Sequence, residues 1–258
     1  MTRQGYQIVI SIFLAIYFAA GQLHAEDKSS ERANEILKKI DDLWRGESSH
    51  AIMTMQVKTE HYTRTIQMEG WSKGEEKSLI RIVKPLKEKG TATLKSDKNI
   101  FSYLPKTDRT IRLTSGMMMG SWMGSHFTND DLVQESRRED DFISTISFEG
   151  ERDGQPIIEF SMIPKEDAAV VWGKVVLVVR STDFIPISEV YYDEDLKVTR
   201  TFSFTDLKIL AGKMRPAVMQ VIPADKPDEY TKVIYESLEL DIPMNDSFFS
   251  LANLKRSR

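Results

Sequence analysis

The chain of 258 residues contains no cysteine. Without thiols it cannot be a disulfide-stabilised scaffold, a thiolate zinc site, an iron–sulfur protein or an enzyme with a cysteine nucleophile. It also offers no cysteine for the lipid anchor of a bacterial lipoprotein. This one absence therefore removes four chemistries and one mode of membrane attachment.

Neither positively nor negatively charged residues are in large excess. The chain has 35 Lys and Arg against 39 Asp and Glu, which gives a net charge of −4. A dedicated nucleic-acid-binding protein usually carries a basic excess, so we expect no nucleic-acid partner. The hydrophobic fraction of 41% is enough to build a core and excludes global disorder.

Signatures of catalysis and metal binding are scarce. No histidine pair has the spacing of a helical zinc site, and no phosphate-loop or dinucleotide-binding glycine pattern occurs. The four histidines are scattered along the chain: His24, His50, His61 and His126. Residues 120–124 place their serine wrongly for a nucleophile elbow. We therefore predict no enzyme, no metal and no cofactor, and a hydrolase that uses Ser125 and His126 is the enzymatic alternative.

The one long hydrophobic run lies at the N-terminus, where residues 8–20 are interrupted only twice by polar side chains. A membrane span needs about 20 apolar residues, so this shorter run, preceded by Arg3, fits a secretory signal peptide over residues 1–25. Cleavage after Ala25 would leave residues 26–258 as a single domain in the bacterial periplasm. An uncleaved N-terminal anchor is the alternative.

Hydrophobic spacing predicts one helix followed by many strands. Between Ser29 and about Trp44, apolar side chains recur three and four residues apart, and Arg45 and Gly46 would end this helix. From Ala51 onward apolar and polar residues alternate, which is typical of strands. About ten to twelve short strands at hairpin spacing indicate one large, strongly curved antiparallel sheet. The predicted strands cover residues 51–58, 63–71, 77–84, 91–95, 99–104, 110–113, 157–163, 174–180, 186–192, 198–210, 214–222 and 231–240.

Short helices are predicted at residues 128–133, at residues 164–172 and from Asn245 onward. Their positions between and after the strands would let them cover one face of the curved sheet or close its opening.

The most unusual segment, residues 116–124, reads Gly-Met-Met-Met-Gly-Ser-Trp-Met-Gly. Methionine is unbranched and polarizable, so such a cluster can repack around an irregular apolar ligand such as an acyl chain, and the glycines would let the loop move. Alternatively, the loop tucks its side chains into an ordinary core. The concave face of the sheet has the same two outcomes, because side chains can fill it or leave a cavity. We predict a hydrophobic cavity with a lid, formed by Trp71, Phe101, Tyr103, Met117, Met118, Met119, Trp122, Met123 and Phe127.

Several segments resemble the outer-membrane lipoprotein-sorting (LolA-like) family. They are residues 80–85 (IRIVKP), 89–92 (KGTA), 101–106 (FSYLPK), 109–112 (RTIR) and the closing stretch 238–254. Residues 123–132, MGSHFTNDDL, are similar to the signature "GSDF-s-y-e-D-L" of that family, with His126 in place of the usual acid and Asn129 at an aromatic position. The resemblance covers most of residues 30–256 and is closer to an uncharacterised branch than to the authentic lipoprotein carrier.

This resemblance implies a mainly β fold: an incomplete antiparallel β-barrel whose concave face is covered by an N-terminal helix, short helices and a loop. It also implies a monomeric periplasmic carrier that binds lipid or lipoprotein acyl chains in its cavity and delivers them toward the outer membrane. Members of the branch are associated with inner-membrane exporters of the RND type, which makes such an exporter the expected partner. The alternatives are an envelope sensor or regulatory binding protein of the same superfamily, or an accessory protein of the exporter.

Overall fold

The computed structural model describes residues 29–41, 46–97, 99–134, 141–166, 168 and 170–256. Within these residues, thirteen antiparallel strands form one sheet. The strands are β1 (Ser48–Lys58), β2 (Thr63–Lys73), β3 (Lys77–Lys84), β4 (Ala92–Ser96), β5 (Asn99–Leu104), β6 (Arg109–Arg112), β7 (Phe142–Arg152), β8 (Gln155–Pro164), β9 (Lys174–Arg180), β10 (Pro186–Tyr192), β11 (Val198–Leu210), β12 (Lys213–Pro223) and β13 (Tyr230–Leu240).

Among the described residues the helices are few and short. They are α1 (residues 29–41), α2 (Asp131–Gln134) and α3 (Leu251–Leu254), with 3₁₀ turns at Pro105–Thr107, Ser115–Met117, Trp122–Gly124 and Asp246–Phe248. The predicted signal peptide over residues 1–25 and the predicted end of the first helix at Trp44 and Arg45 lie outside the described residues. In the part of the chain that the structure describes, no helix has the length and apolar character needed to cross a membrane.

The strand order is β6-β5-β4-β3-β2-β1-β13-β12-β11-β10-β9-β8-β7. Two meanders, β1 to β6 and β7 to β13, are therefore joined side by side through the pairing of β1 with β13. Among the described residues the edge strands β6 and β7 do not pair with each other, so the barrel stays open, as the family resemblance implied. The chain crosses from one edge to the other between residues 113 and 141.

Sequence reasoning missed one strand and predicted one helical turn that is too long. Strand β7 was not predicted, because Ile143 is exposed and Ser144 is buried at this sheet edge, which inverts the expected pattern. The helical turn predicted over residues 164–172 is shorter than expected in the residues described there: β8 continues to Pro164, and one turn follows in which the Ala168 N–H donates to the Lys165 carbonyl (3.0 Å).

The sheet has one apolar face that forms the main core. In β1, Ala51, Met53, Met55 and Val57 are buried and alternate with half-exposed residues, as the period of two requires. Because one residue of slip would turn every buried side chain to the other face, this alternation sets the register.

Helix α1 packs on the same apolar face. Ala33, Ile36, Leu37 and Ile40 are at most 6% exposed and belong to the main core cluster. Their three- and four-residue spacing places them on one side of the helix, which is the side that the sequence predicted to be buried. The helix thus covers part of the concave face.

A second, smaller core lies on the opposite face of β3, β4 and β5. Leu79, Leu94 and Tyr103 pack there against Phe249 and Leu254 of the C-terminal segment. Each of these five side chains is at most 8% exposed. Strand β4 is consequently buried on both faces, with Trp122 and the cavity on one side and the C-terminal segment on the other.

Candidate ligand cavity

A cavity of about 370 Å³ lies between the sheet, α1 and the segment that follows β6. Its wall includes Lys95 of β4 and Phe142 of β7, two strands that lie far apart in the sheet order, so the sheet is strongly curled. The volume falls in the range of about 300–1,000 Å³ that is usual for small-molecule sites.

The deep part of the cavity is apolar and unusually rich in methionine and aromatic side chains. The methionines of the wall are Met53, Met68, Met162 and Met219, and its aromatic residues from the strands are Phe142, Tyr191, Phe202, Phe204 and Tyr235. Methionine adapts to irregular shapes, whereas aromatic rings supply large rigid surfaces. Such a wall suits a flexible hydrocarbon ligand.

The mouth of the cavity is polar. It is lined by Ser49, Ser72, Ser78 and Lys95, which come from the same end of β1, β2, β3 and β4. The hydroxyls of Ser49 and Ser72 lie 2.6 Å apart. The ammonium of Lys95, a residue only 4% exposed, donates to the backbone carbonyl of Glu75 at 2.7 Å. The cavity is therefore amphipathic along its length.

The far end of the cavity is closed by residues 113–134, which we call the crossing segment. Trp122 and Phe127 project from it into the wall, and each is at most 7% exposed. The indole Nε1–H of Trp122 donates to Thr93 Oγ1 at 3.1 Å, and the Phe127 ring lies 5.8 Å from that of Phe202. These contacts fix both aromatic side chains against the sheet.

Side-chain hydrogen bonds attach the crossing segment to the ends of neighbouring strands. Tyr62 Oη donates to the Gly124 carbonyl (2.8 Å), and the Arg64 guanidinium donates to the Met123 carbonyl (2.5 Å). On the other side, His126 Nε2 lies 3.0 Å from the Glu229 carboxylate. The bonds from His126 and from the Glu60 backbone N–H hold the pKa of Glu229 below its usual value.

A buried ion pair holds the segment from within the cavity wall. Arg200 of β11 donates two hydrogen bonds to Asp131, at 2.8 and 2.6 Å, and its guanidinium lies 4.4 Å from the ring centroids of both Trp172 and Tyr191. Burial lowers the pKa of Arg200, but the hydrogen bonds and charge of Asp131 outweigh it and the net pKa is raised. Thr128 and Asp131 also exchange hydrogen bonds in a capping arrangement that begins α2.

A family model described only as that of an uncharacterised protein matches residues 74–256. The chain belongs to this family. No curated protein matches the sequence.

Three solved structures share the fold. A DUF1329 family protein from Desulfovibrio piger is 19% identical, with a TM-score of 0.77 over 88% of this chain and 99% of the other. An outer membrane lipoprotein-sorting protein domain from Vibrio parahaemolyticus is 23% identical, with a TM-score of 0.75 over 88% of this chain and 100% of the other. A LolA superfamily protein from Nitrosomonas europaea is 21% identical, with a TM-score of 0.72 over 86% and 98%. The LolA-like fold that the resemblance implied is thereby confirmed, and at these identities the structures establish the fold alone.

The LolA-like fold brings some of the predicted cavity and lid residues together and separates others. Trp122 and Phe127 line the cavity, and Met123 packs against the main core. Residues 117–119 lie on the outside of the crossing segment, where Met117 is 41% and Met119 is 43% exposed and Met118 is half-buried.

The three predicted residues on strands belong to the outer face of the sheet. Phe101 and Tyr103 pack in the smaller core under the C-terminal segment. Trp71 borders the cavity mouth, yet its ring stacks on His50 (5.4 Å) and meets Phe248 edge-on (5.4 Å) on that outer face. Alternation alone does not tell which face of a doubly buried strand is concave.

Sequence reasoning missed the methionines of the strands and the ion pair. Met53 and Met68 were recognised only as members of alternating strands, although their directly paired positions on β1 and β2 already signal one apolar patch. No local pattern joins Asp131 to Arg200, which are 69 residues apart.

The structure also separates the two residues of the enzymatic alternative. Ser125 Oγ donates to the Trp122 carbonyl (2.7 Å), whereas the His126 ring contacts Thr231 and Glu229. Among the described residues, no group of three or more His, Asp or Glu side chains is placed to hold a metal ion.

Proposed function

We propose that this LolA-like protein is a carrier that binds a lipid, or the acyl chains of a lipoprotein, in its cavity and shields them from water during delivery toward the outer membrane. The observation that carries the proposal is the open, methionine- and aromatic-lined cavity of about 370 Å³ on the concave face. A well-packed core leaves few voids larger than a water molecule, so a cavity of this size argues for an occupant.

The hydrophobic effect supplies enough free energy for such binding. Each buried methylene contributes about 0.8 kcal/mol, so roughly ten methylenes contribute about 8 kcal/mol. This corresponds to a dissociation constant of about 1 μM before the entropic cost of association is subtracted. The affinity of the complex is weaker than this value by the cost of association, which suits a carrier that must release its ligand.

We propose that the crossing segment acts as the lid. Its attachments to Tyr62, Arg64 and Thr231 are individual side-chain hydrogen bonds, which open more easily than a strand ladder. Residues 117–119, on its outer side, would contact the ligand only when the lid moves. Trp122 and Phe127 would then be the residues that exchange sheet contacts for ligand contacts.

We also propose that residues 26–258 work as a monomer in the periplasm after removal of residues 1–25, without enzymatic activity. The resemblance supports an RND-type exporter of the inner membrane as partner. The mass of the protein recovered from the periplasm tests the cleavage after Ala25, and cross-linking in cells tests the partner.

The carrier function can be tested by native mass spectrometry of the protein purified from the periplasm of the bacterium that naturally produces it. We expect co-purifying lipid with the wild type and its loss with Val233→Phe, because Val233 lines the cavity and is 4% exposed. Ile234→Phe is the matched control, since this neighbour on β13 points to the outer face and should keep the lipid. Wild-type protein free of lipid, and unable to take up added lysophospholipid or fatty acid, would refute the carrier function.

A further inference from the structure

We infer that the cavity takes its ligand tail first and holds an anionic headgroup, a phosphate or a carboxylate, at the row formed by Ser49, Ser72, Ser78 and Lys95. This inference rests on the proposed carrier function and specifies the ligand class: an amphiphile with an acyl chain and a negatively charged head. We call these four residues the mouth row.

Sheet register makes the mouth row continuous. Ser49 is paired with Ser72, Ser72 with Ser78, and Ser78 with Lys95, across β1, β2, β3 and β4. Neighbouring strands lie about 4.8 Å apart, so the row presents three hydroxyls and one ammonium over roughly 14 Å. Several oxygens of one headgroup could therefore be bound at the same time.

The next row inward has a different character. It consists of Ala51, Gly70, Ile80 and Thr93, which pair across the same four strands. The Thr93 hydroxyl is engaged by the Trp122 indole. A side chain at Gly70 would meet the Met53 methyl group at 2.9 Å, so glycine keeps this part of the wall thin. On these four strands the polar surface therefore ends one row inside the mouth, whereas Asp131 and Glu189 are charged residues of the cavity wall elsewhere.

The third row completes the gradient from polar to apolar. Met53 of β1, Met68 of β2 and Ile82 of β3 are paired across the sheet and are at most 8% exposed. Two residues along a strand span about 6.6 Å, so the surface changes from hydroxyls to methionine within roughly 13 Å. An acyl chain fits the inner rows, and a headgroup fits the mouth row.

The charge of Lys95 selects an anion. A lysine that is only 4% exposed is rare, because a buried ammonium loses its hydration and needs polar partners. The ammonium of Lys95 belongs to the concave face, whereas that of Lys77, one strand away, reaches Asp246 (2.5 Å) on the outer face. Among the described residues, two carboxylates border the mouth, Asp41 at the end of α1 and the exposed Glu75 in the turn after β2, and two more, Asp131 and Glu189, line the wall elsewhere. Lys95 and Asp41 also have partners within the protein, with which a bound headgroup would compete.

Binding of three amphiphiles with the same acyl chain tests the inference: a fatty acid, a lysophosphatidylglycerol and a neutral monoacylglycerol. Their affinities are measured by displacement of a fluorescent fatty acid. We expect the wild type to bind both anionic probes about tenfold more tightly than the neutral one, since charge-assisted hydrogen bonds are the stronger class. The order of the two anionic probes distinguishes a carboxylate ligand from a phosphate ligand.

Variants locate the preference within the mouth row. Lys95→Met should abolish the preference for anionic probes and leave the affinity for the neutral probe unchanged. Lys213→Met, at an exposed lysine at the same end of the sheet, is the matched control and should keep the preference. If Lys95→Met does not fold, Ser72→Ala, with Ser203→Ala on the outer face as control, should weaken anionic binding alone.

The outcomes separate this inference from the carrier function. Headgroup binding at the mouth row is refuted if the wild type binds charged and neutral probes equally, or if the preference for anions survives both mouth-row variants. Either result leaves the carrier function intact. Absence of binding for all three probes overturns both.

Discussion

The buried ion pair between Asp131 and Arg200 should be the most sensitive attachment of the crossing segment. Its two hydrogen bonds measure 2.6 and 2.8 Å, and the side chains are 13% and 6% exposed. The substitution Asp131→Ala removes the carboxylate and leaves the guanidinium of Arg200 among the rings of Trp172, Tyr191 and Phe202.

We expect this substitution to lower the free energy of unfolding by about 3–5 kcal/mol, because the buried guanidinium loses its hydrogen-bonded carboxylate and keeps only the weaker interaction with the charge of Glu189. The three aromatic rings around Arg200 still stabilise its positive charge in part, so we expect a loss in the lower half of that range, about 3–4 kcal/mol. A domain of this size loses about 2–4 °C of melting temperature per kcal/mol, so a loss of about 3–4 kcal/mol corresponds to a shift of roughly 6–16 °C.

Urea denaturation followed by tryptophan fluorescence measures the change. The matched control is Glu149→Ala, which breaks the pair of Arg32 and Glu149: its hydrogen bonds of 2.7 and 2.8 Å are equally good, but its side chains are 53% and 41% exposed. This control should cost no more than about 1 kcal/mol, because water screens the exposed charges.

A double variant, Asp131→Leu with Arg200→Met, distinguishes the buried charge from lost packing. It should recover part of the stability that Asp131→Ala loses, since the buried guanidinium is removed together with its carboxylate, although the buried Glu189 then loses the charge of Arg200. The reasoning would be refuted by a loss below about 1 kcal/mol for Asp131→Ala, or by a double variant whose loss equals the sum of the two single ones.

Two further predictions follow from the crossing segment and the C-terminal segment. Replacing residues 117–119 by serine should change the free energy of unfolding by less than about 1 kcal/mol, because their side chains lie on the outside. Trp122→Ala, which empties a buried position, should lower it by about 3–5 kcal/mol. Both changes can be measured by calorimetry, and similar losses for the two variants would contradict the lid arrangement. Hydrogen bonds and charges from Lys73 and Lys77 lower the pKa of Asp246 from 3.8 to about 2, so their stabilisation is complete above pH 3.8 and is lost as the pH falls through about 2. Carboxyl NMR titration should give that midpoint in the wild type and a value near 3.8 in Lys73→Met/Lys77→Met; an unchanged midpoint would show that the ion pairs do not form.

The alternation of apolar residues was sufficient to predict twelve strands in a large antiparallel sheet, because a half-buried strand shows its period directly in the sequence, whereas the open barrel was implied by the family resemblance. It failed at β7, where Ile143 is 53% and Ser144 is 1% exposed. An edge strand pairs with a neighbour on one side only. Which of its side chains are buried therefore depends on the chain segments that pack against it, and not on its own composition.

The candidate site was predictable only in part, for a related reason. The composition of the crossing segment drew attention to Trp122 and Phe127, which the structure places in the cavity wall. Which face of β5 is concave depends on the curl of the whole sheet, so Phe101 and Tyr103 could not be assigned from alternation. The mouth row and the Asp131–Arg200 pair arise from strand pairing and tertiary contact, which leave no local trace.

The pairing of β1 with β13 has a consequence for how the protein folds. Every other pairing in the sheet joins strands that follow one another along the chain, whereas Ser49 of β1 is paired with Leu240 of β13. Hairpins within each meander can form from nearby residues, but this contact closes a loop that includes almost the whole domain and comes late on entropic grounds. Because the cavity wall draws on both meanders, we expect the binding site to exist only after that last step. A chain released half-folded would then expose its methionine-rich strands while still unable to bind the ligand that could cover them.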